Sequence, residues 1–243
     1  MATLFPKWMN RLPTIGAVGA VCGATAVVCG FWYYATPKFW RVGYSPIQPG
    51  GGFNHQLHAG ELGLDCRYCH TKIEQSAEAN VPNVATCYGC HRDGALKKLM
   101  DPLVPGNETH KARTNFIREA YASDQSITWT RVHKLPDYVR NFPHNVHLAA
   151  GVSCYSCHGR IDQMAVVYHS QPLSMSWCLN CHREPEMAVL EDKTRITDLQ
   201  FAETELAKRQ QGGLEEAKRV YERTMAREHL PLMGPQNCGA CHH

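Results

Sequence analysis

Hydrophobic and polar positions divide this chain into one long apolar run and a remainder with little regular alternation. Residues 14–36, Thr14 through Thr36, hold no charged side chain. As a helix these 23 residues would extend about 34 Å, enough to cross a bilayer core. Pro13 and Pro37 bracket the run, Lys7 and Arg11 precede it, and Lys38 and Arg41 follow it. It is too long for a signal-peptide core, and no small-x-small cleavage site precedes Pro37, so an uncleaved anchor is expected. One helix face carries Gly16, Gly19, Ala20, Gly23, Ala24 and Gly30, and the Gly19–Gly23 spacing permits close approach of a partner helix. Phe31, Trp32, Tyr33, Tyr34, Phe39 and Trp40 form an aromatic band for one membrane interface, with Phe5 and Trp8 for the other. Cys22 and Cys29 lack the context of a lipid-modified cysteine and are expected to act as small apolar residues.

Further along, Leu199, Phe201, Leu206, Leu214, Ala217, Val220, Tyr221 and Met225 recur at loosely helical spacing, interrupted by Gly212-Gly213. Two amphipathic helices within 192–229 are expected. Residues 98–128 mix Pro, Gly, Asn and charge and read as a connector. The fold class expected is mostly α and irregular.

Composition changes this picture through its cysteines and histidines. Ten of the twelve cysteines fall in five copies of Cys-x-x-Cys-His: Cys66–Cys69–His70, Cys87–Cys90–His91, Cys154–Cys157–His158, Cys178–Cys181–His182 and Cys238–Cys241–His242. This is the attachment signature of a c-type haem. The two thiols add across the porphyrin vinyl groups, and the adjoining imidazole becomes the proximal ligand of the iron. Zinc sites or disulfides would not require a histidine directly after every second cysteine. Five haem c groups are therefore expected, roughly one per 40 residues of the haem-bearing segment, too little chain for an ordinary separate core. The porphyrins should supply much of the apolar interior, in keeping with a hydrophobic fraction of 44% and a mean hydropathy of −0.37. Their propionates would lower the sequence charge of +3 by roughly ten units, and nothing in the charge supports nucleic-acid binding.

Two stretches repeat. Phe53-Asn-His55-Gln-Leu-His58 is followed by seven residues and Cys66, while Phe142-Pro-His144-Asn-Val-His147 is followed by six and Cys154. Each Phe-x-His-x-x-His element precedes two haem motifs, giving modules at about 53–92 and 142–183, with the fifth motif at 238–242. Histidines three apart share a helix face but cannot both reach one iron, so each pair serves two haems. His55, His58, His144 and His147 are thus candidate distal ligands. Among the histidines left over, His133 is the first choice for the fifth distal ligand and the thioether of Met175 its rival.

The Phe-x-His-x-x-His…Cys-x-x-Cys-His pattern resembles the small class III multihaem cytochromes, the c3 and c7 families. That resemblance implies that His55 caps the Cys66/Cys69 haem and His144 the Cys154/Cys157 haem, with His58 and His147 each reaching another. Adding the single anchor, five motifs and the segment Leu173-Ser-Met175-Ser-Trp177-Cys178-Leu-Asn-Cys181-His182-Arg183, the chain resembles the pentahaem subunit of alternative complex III. The resemblance implies partners: an iron–sulfur subunit, integral membrane quinol-site subunits and a monohaem cytochrome c. It also implies a quinol:acceptor oxidoreductase in which this chain forwards electrons towards a downstream cytochrome c or oxidase.

No nucleophile–base pair, P-loop or dinucleotide fingerprint is present, so an electron carrier without a catalytic residue of its own is expected. Two rivals stand beside it: a single-anchor quinol dehydrogenase acting alone, and a multihaem reductase of small oxyanions, which needs one five-coordinate iron. Because c-type haem is attached on the periplasmic or outer face, the expected layout is a cytoplasmic N-terminus (1–13), an anchor in the bacterial inner membrane (14–36) and a haem domain outside (37–243).

Overall fold

The computed structural model describes residues 6–35, 53–95, 107–129, 131–133, 135, 139, 142–229 and 233–242. The chain divides into two units, residues 1–44 and 45–243. In the first, a short 3-10 turn (Lys7–Arg11) runs into helix α1 (Leu12–Ala35). The helix starts two residues before the expected boundary because Pro13 sits in its first turn, where its missing N–H has no partner to lose. Its side chains face outward almost throughout, including Trp8, Val27, Phe31 and Trp32 around it, and a Cβ placed on Gly16, Gly19, Gly23 or Gly30 would touch nothing within 4 Å. This is the one helix long and apolar enough to cross a membrane among the described residues. Phe5, Lys38, Phe39, Trp40 and Arg41 lie outside the described residues.

The second unit is built of short helices and turns. Among its described residues there is no named strand, only one isolated bridge between Val152 and Val189. The helices are α2 (Cys66–Cys69), α3 (Val84–His91), α4 (Asn107–Arg113), α5 (Asn115–Ala122), α6 (His144–Ala150), α7 (Cys154–His158), α8 (Met175–Arg183), α9 (Leu199–Gly212) and α10 (Leu214–Glu228). A mostly helical and irregular fold is what the sequence led us to expect.

Local chemistry starts each motif-bearing helix in the two modules. Asp65 accepts from the Arg67 amide and opens α2, and Ser153 accepts from the Tyr155 amide and opens α7; in both, the first motif cysteine is the first helical residue. Asn83 caps α3 through the Thr86 amide and Ser174 caps α8 through the Trp177 amide; in both, the first cysteine is the fourth helical residue. The duplication thus extends to the helix caps, which satisfy amides that the first turn leaves without partners. The modules differ by one residue between the second histidine and the cysteine, and the structure absorbs that residue in the helix itself. In the second module His147 lies in α6, while in the first His58 lies in a π-helical turn, Gln56–Glu61, as an inserted residue requires.

A small polypeptide core accompanies these modules, more than the haem-only interior expected from the chain length. Leu148, Leu190, Ile196, Ala202 and Leu206 form one cluster, with Tyr155 and Phe201 against it, and Val152, Val189, Tyr221 and Met225 form a second. The expected helical pair supplies it: α9 and α10 meet after the Gly212-Gly213 break and turn Ala202, Leu206, Ala217 and Met225 inward. Arg209 reaches back from α9 to the Glu186 and Val189 carbonyls, tying the hairpin to the chain that follows the fourth motif.

Residues 107–122 correct the reading of 98–128 as a connector. They form α4 and α5, and α5 packs against α3 with Ile117 buried and Tyr121 stacked on Tyr88 at 3.7 Å. Phe116, Ile117, Ala120 and Tyr121 make a short apolar stripe that the surrounding charge and proline conceal.

Asp198 caps α9, accepting from the Phe201 amide and pairing with Arg195 at 2.6 Å. Asp198→Ala is expected to cost about 1 kcal/mol. The amide and Arg195 hold its carboxyl below the usual range. The stabilisation is therefore complete above the unfolded carboxylate pKa and lost as pH falls through the folded one. Thermal melts should show a deficit near neutral pH that closes in acid; equal melting at both would remove the cap from the account.

Candidate haem-binding sites

Each Phe-x-His-x-x-His element builds the same three-ring arrangement. Phe53 stacks on His58 at 4.6 Å and 25° and meets His55 edge-on at 4.8 Å and 90°. Phe142 stacks on His147 at 4.4 Å and 22° and meets His144 edge-on at 4.9 Å and 85°. The phenylalanine therefore separates the two imidazoles and sets their planes. The second histidine then faces the second motif of its own module. His58 lies 6.2 Å from His91, and His147 lies 6.1 Å from His182, centre to centre. Metal–imidazole bonds are about 2 Å and each ring centre lies about 1 Å further back, so two imidazoles sharing one metal stand about 6 Å apart. Both pairs have that spacing.

The hydrogen bonds at Nδ1 decide which nitrogen is offered. His58 donates Nδ1–H to the Asn54 carbonyl (2.8 Å), His70 to Asn80 (2.6 Å), His144 to Ala77 (2.8 Å), His147 to Pro143 (2.9 Å) and His182 to Pro235 (2.6 Å). A backbone carbonyl only accepts, so each of these rings carries its proton on Nδ1 and presents the lone pair of Nε2. Burial completes the preparation. It holds His55, His91 and His133 down to about 4 and His158 well below its ordinary value, with neighbouring imidazoles adding to the effect. A metal ligand must be neutral, and these rings are.

The thiols are set for covalent capture and not for redox pairing with each other. None of the twelve is in a disulfide. Burial pushes Cys157 up to about 12 and raises Cys69, Cys87, Cys178 and Cys181, in each case ahead of any neighbouring charge. Such thiols stay protonated and resist oxidation until a porphyrin is attached. Among the described residues no cluster of His, Cys, Asp and Glu forms a ready-made metal cage. Paired thiols, imidazoles of one tautomer and apolar surroundings fit a porphyrin iron.

Other predicted residues take these places. His55 lies beside His70 and His58, its Nδ1 buried without a partner, and His144 and His133 are both near His158. His133 meets the His158 ring edge-on at 4.3 Å, too close for an iron between them, and its Nε2 is buried without a hydrogen bond. Met175 is the exposed first residue of α8. His242 lies in the described C-terminal segment and His243 outside it. His169 lends its Nε2 to the Val132 carbonyl at 2.6 Å. His110, which the sequence left unplaced, stacks near His91 at 5.7 Å and 28° with its own Nε2 buried and unpartnered. Its signal was absent because it lies in the stretch read as connector.

Mostly helical, with one N-terminal apolar helix and five Cys-x-x-Cys-His motifs, the fold fits a multihaem cytochrome c. No protein family's sequence profile matches the chain. It is 30% identical over 133 residues to the multihaem cytochrome c subunit of a menaquinone reductase from Nitratidesulfovibrio vulgaris, an alignment covering 55% of this chain and 54% of that protein. The chain thus spans about half the length of the curated relative it matches.

Two imidazoles approach His91, and only His58 has its tautomer set by a backbone carbonyl. His58→Ala in the holoprotein is expected to turn one haem high-spin, whereas His110→Ala should leave the low-spin spectrum unchanged. The reverse pattern in electron paramagnetic resonance would assign the site to His110.

Proposed function

We propose that this chain is the electron-relay subunit of a quinone-linked membrane complex, carrying five covalently bound haems on one side of its anchor. The observation that carries the reading is the pair of imidazole spacings, 6.2 Å for His58–His91 and 6.1 Å for His147–His182, each centred on a Cys-x-x-Cys-His motif. Cys66/Cys69, Cys87/Cys90, Cys154/Cys157, Cys178/Cys181 and Cys238/Cys241 hold the five porphyrins, with His70, His91, His158, His182 and His242 as proximal ligands. When bound, haem supplies a one-electron ferric/ferrous couple. His55, His58, His144 and His147 serve as distal ligands to the first, second, third and fourth motifs. The fifth takes Met175 or His133. Met175 is favoured because it stands three residues, one helical turn, before Cys178, whose neighbour Cys241 belongs to the fifth motif.

The chain's own part in the reaction is to hold these centres low-spin, fixed and dry. Tying Nδ1–H to a carbonyl makes Nε2 a better donor and lowers the potential of a centre. Buried neutral rings bind no further proton, and thiols converted to thioethers no longer titrate, so electron movement need not be accompanied by proton uptake. Quinone chemistry exchanges two protons with two electrons, and α1 offers no carboxylate, imidazole, lysine or arginine between Thr14 and Ala35 to handle them. That chemistry belongs to neighbouring membrane subunits, which the open Gly19/Gly23 face can approach closely. With the N-terminus cytoplasmic, residues 37–243 lie on the periplasmic or outer face.

The relative is a subunit of a menaquinone reductase, and the resemblance to alternative complex III points to quinol oxidation. A relay serves either direction, so this chain's reading is set by the quinone link and not by its sense. The iron–sulfur subunit, quinone-site subunits and monohaem cytochrome c are the partners this reading takes from the resemblance.

Quinol-driven haem reduction separates the relay from a self-sufficient quinol dehydrogenase. The assembled complex should be reduced by a menaquinol analogue, and the purified chain in detergent should not, although dithionite reduces both. Rapid, inhibitor-sensitive reduction of the isolated chain would overturn the relay.

A further inference from the structure

The five motifs do not follow one another in space as they do in the chain. Numbering them in sequence order, sites 1 and 3 meet at the middle. Consecutive carbonyls hold the first cysteines of the two sites together, Ile196 accepting from the Cys154 amide (3.4 Å) and Thr197 from the Cys66 thiol (4.0 Å). The modules are also strapped reciprocally. The histidine element of the second lies on the loop after site 1, through His144 N–H to Ala77 (3.2 Å) and Asn145 N–H to Ser76 (3.3 Å). The histidine element of the first lies on the loop after site 3, through Gln56 N–H to Met164 (3.2 Å), with Gly60 against the Asp162 carbonyl.

Outward from this centre the sites continue singly. Site 2 adjoins site 1, since Cys69 lies beside Cys87 and Cys90 and the His55/His58 pair spans from His70 to His91. Beyond site 2 lies α5, with Arg118 donating to the His91 carbonyl at 3.2 Å. Site 4 adjoins site 3: the chain that follows site 4 is bonded to site 3 through Leu190 N–H to Gly151 (2.8 Å) and the Ser156 hydroxyl to Ala188 (3.4 Å). Site 5 adjoins site 4: Pro235 accepts from His182 at 2.6 Å, and Gly234 rests so closely on the same imidazole that a Cβ would come within 2.7 Å of it. Cysteine exposure gives an independent mark of the ends. Of the ten motif cysteines, Cys90 in site 2 and Cys238 in site 5 are exposed, and the other eight are partly covered.

We infer that the five sites form one unbranched series in the order 2–1–3–4–5, so that sites 2 and 5 are the ends at which redox partners exchange electrons with the chain. The inference rests on the five-haem relay reading and adds its order. Duplication explains the crossing: two copies of a two-site module joined through their first sites place the second sites outermost. Each transfer oxidises one iron as it reduces its neighbour, with quinol-side subunits and a one-electron carrier at the two ends.

Neighbour relations can be read directly in the oxidised holoprotein from its paramagnetically shifted haem-methyl resonances. Removing site 2 (Cys87→Ala with Cys90→Ala) should move the resonances of one remaining haem, and removing site 1 (Cys66→Ala with Cys69→Ala) those of two. Two moved by the first deletion and one by the second is the sequence-ordered arrangement, and would overturn the inference. Wild-type protein gives a second reading that needs no variant to fold: a soluble gadolinium chelate should broaden the methyl resonances of two haems most strongly, those lost in the site 2 and Cys238→Ala/Cys241→Ala proteins. Broadening centred on any other haem contradicts the proposed ends. A wild-type haem content of three or fewer would instead remove the relay reading itself, so the two failures are distinguishable.

Discussion

A histidine can lend either nitrogen to a metal, and the rest of this structure depends on that choice being made in advance. Five imidazoles give Nδ1–H to a backbone carbonyl, at His58, His70, His144, His147 and His182. One of these carbonyls, Ala77, lies on a loop that the second module also holds through the His144 and Asn145 amides. Burial also lowers the pKa of His147 and, well below its ordinary value, that of His158, favouring their neutral forms. Neither effect is large alone, a hydrogen bond contributing about 1 kcal/mol, but together they direct several Nε2 lone pairs inward without any long helix to scaffold them.

The duplicated module is economical because its differences are confined to places that tolerate them. The extra residue before Cys66 becomes a π-turn carrying His58, and the ring spacing to His91 still matches that of His147 to His182 within 0.1 Å. The segments outside the duplication do different work. Helix 115–122 packs on one side of the site 2 helix, and the 199–228 hairpin provides an apolar core that small haem-wrapped loops could not build alone.

The repeated ring arrangement was legible because Cys-x-x-Cys-His is a local pattern and because both Phe-x-His-x-x-His elements carry their three rings at the same spacing. The anchor was legible from its lack of charge, and the 199–228 hairpin from its spacing and glycine break. What stayed hidden depends on contacts distant in sequence. His110 comes from a segment with no spacing constraint to the motif it approaches. Helices 107–122 have too short an apolar stripe to stand out. The caps Asp65, Asn83, Ser153 and Ser174 were readable from residue type but not sought. Gly234, an ordinary glycine in sequence, gains meaning only against the His182 ring.

The central claim is that all five motifs carry haem. A pyridine haemochrome assay on the denatured, purified chain, set against its polypeptide concentration, tests this most directly. The account predicts five covalent haems per chain and no zinc; three or fewer would contradict it.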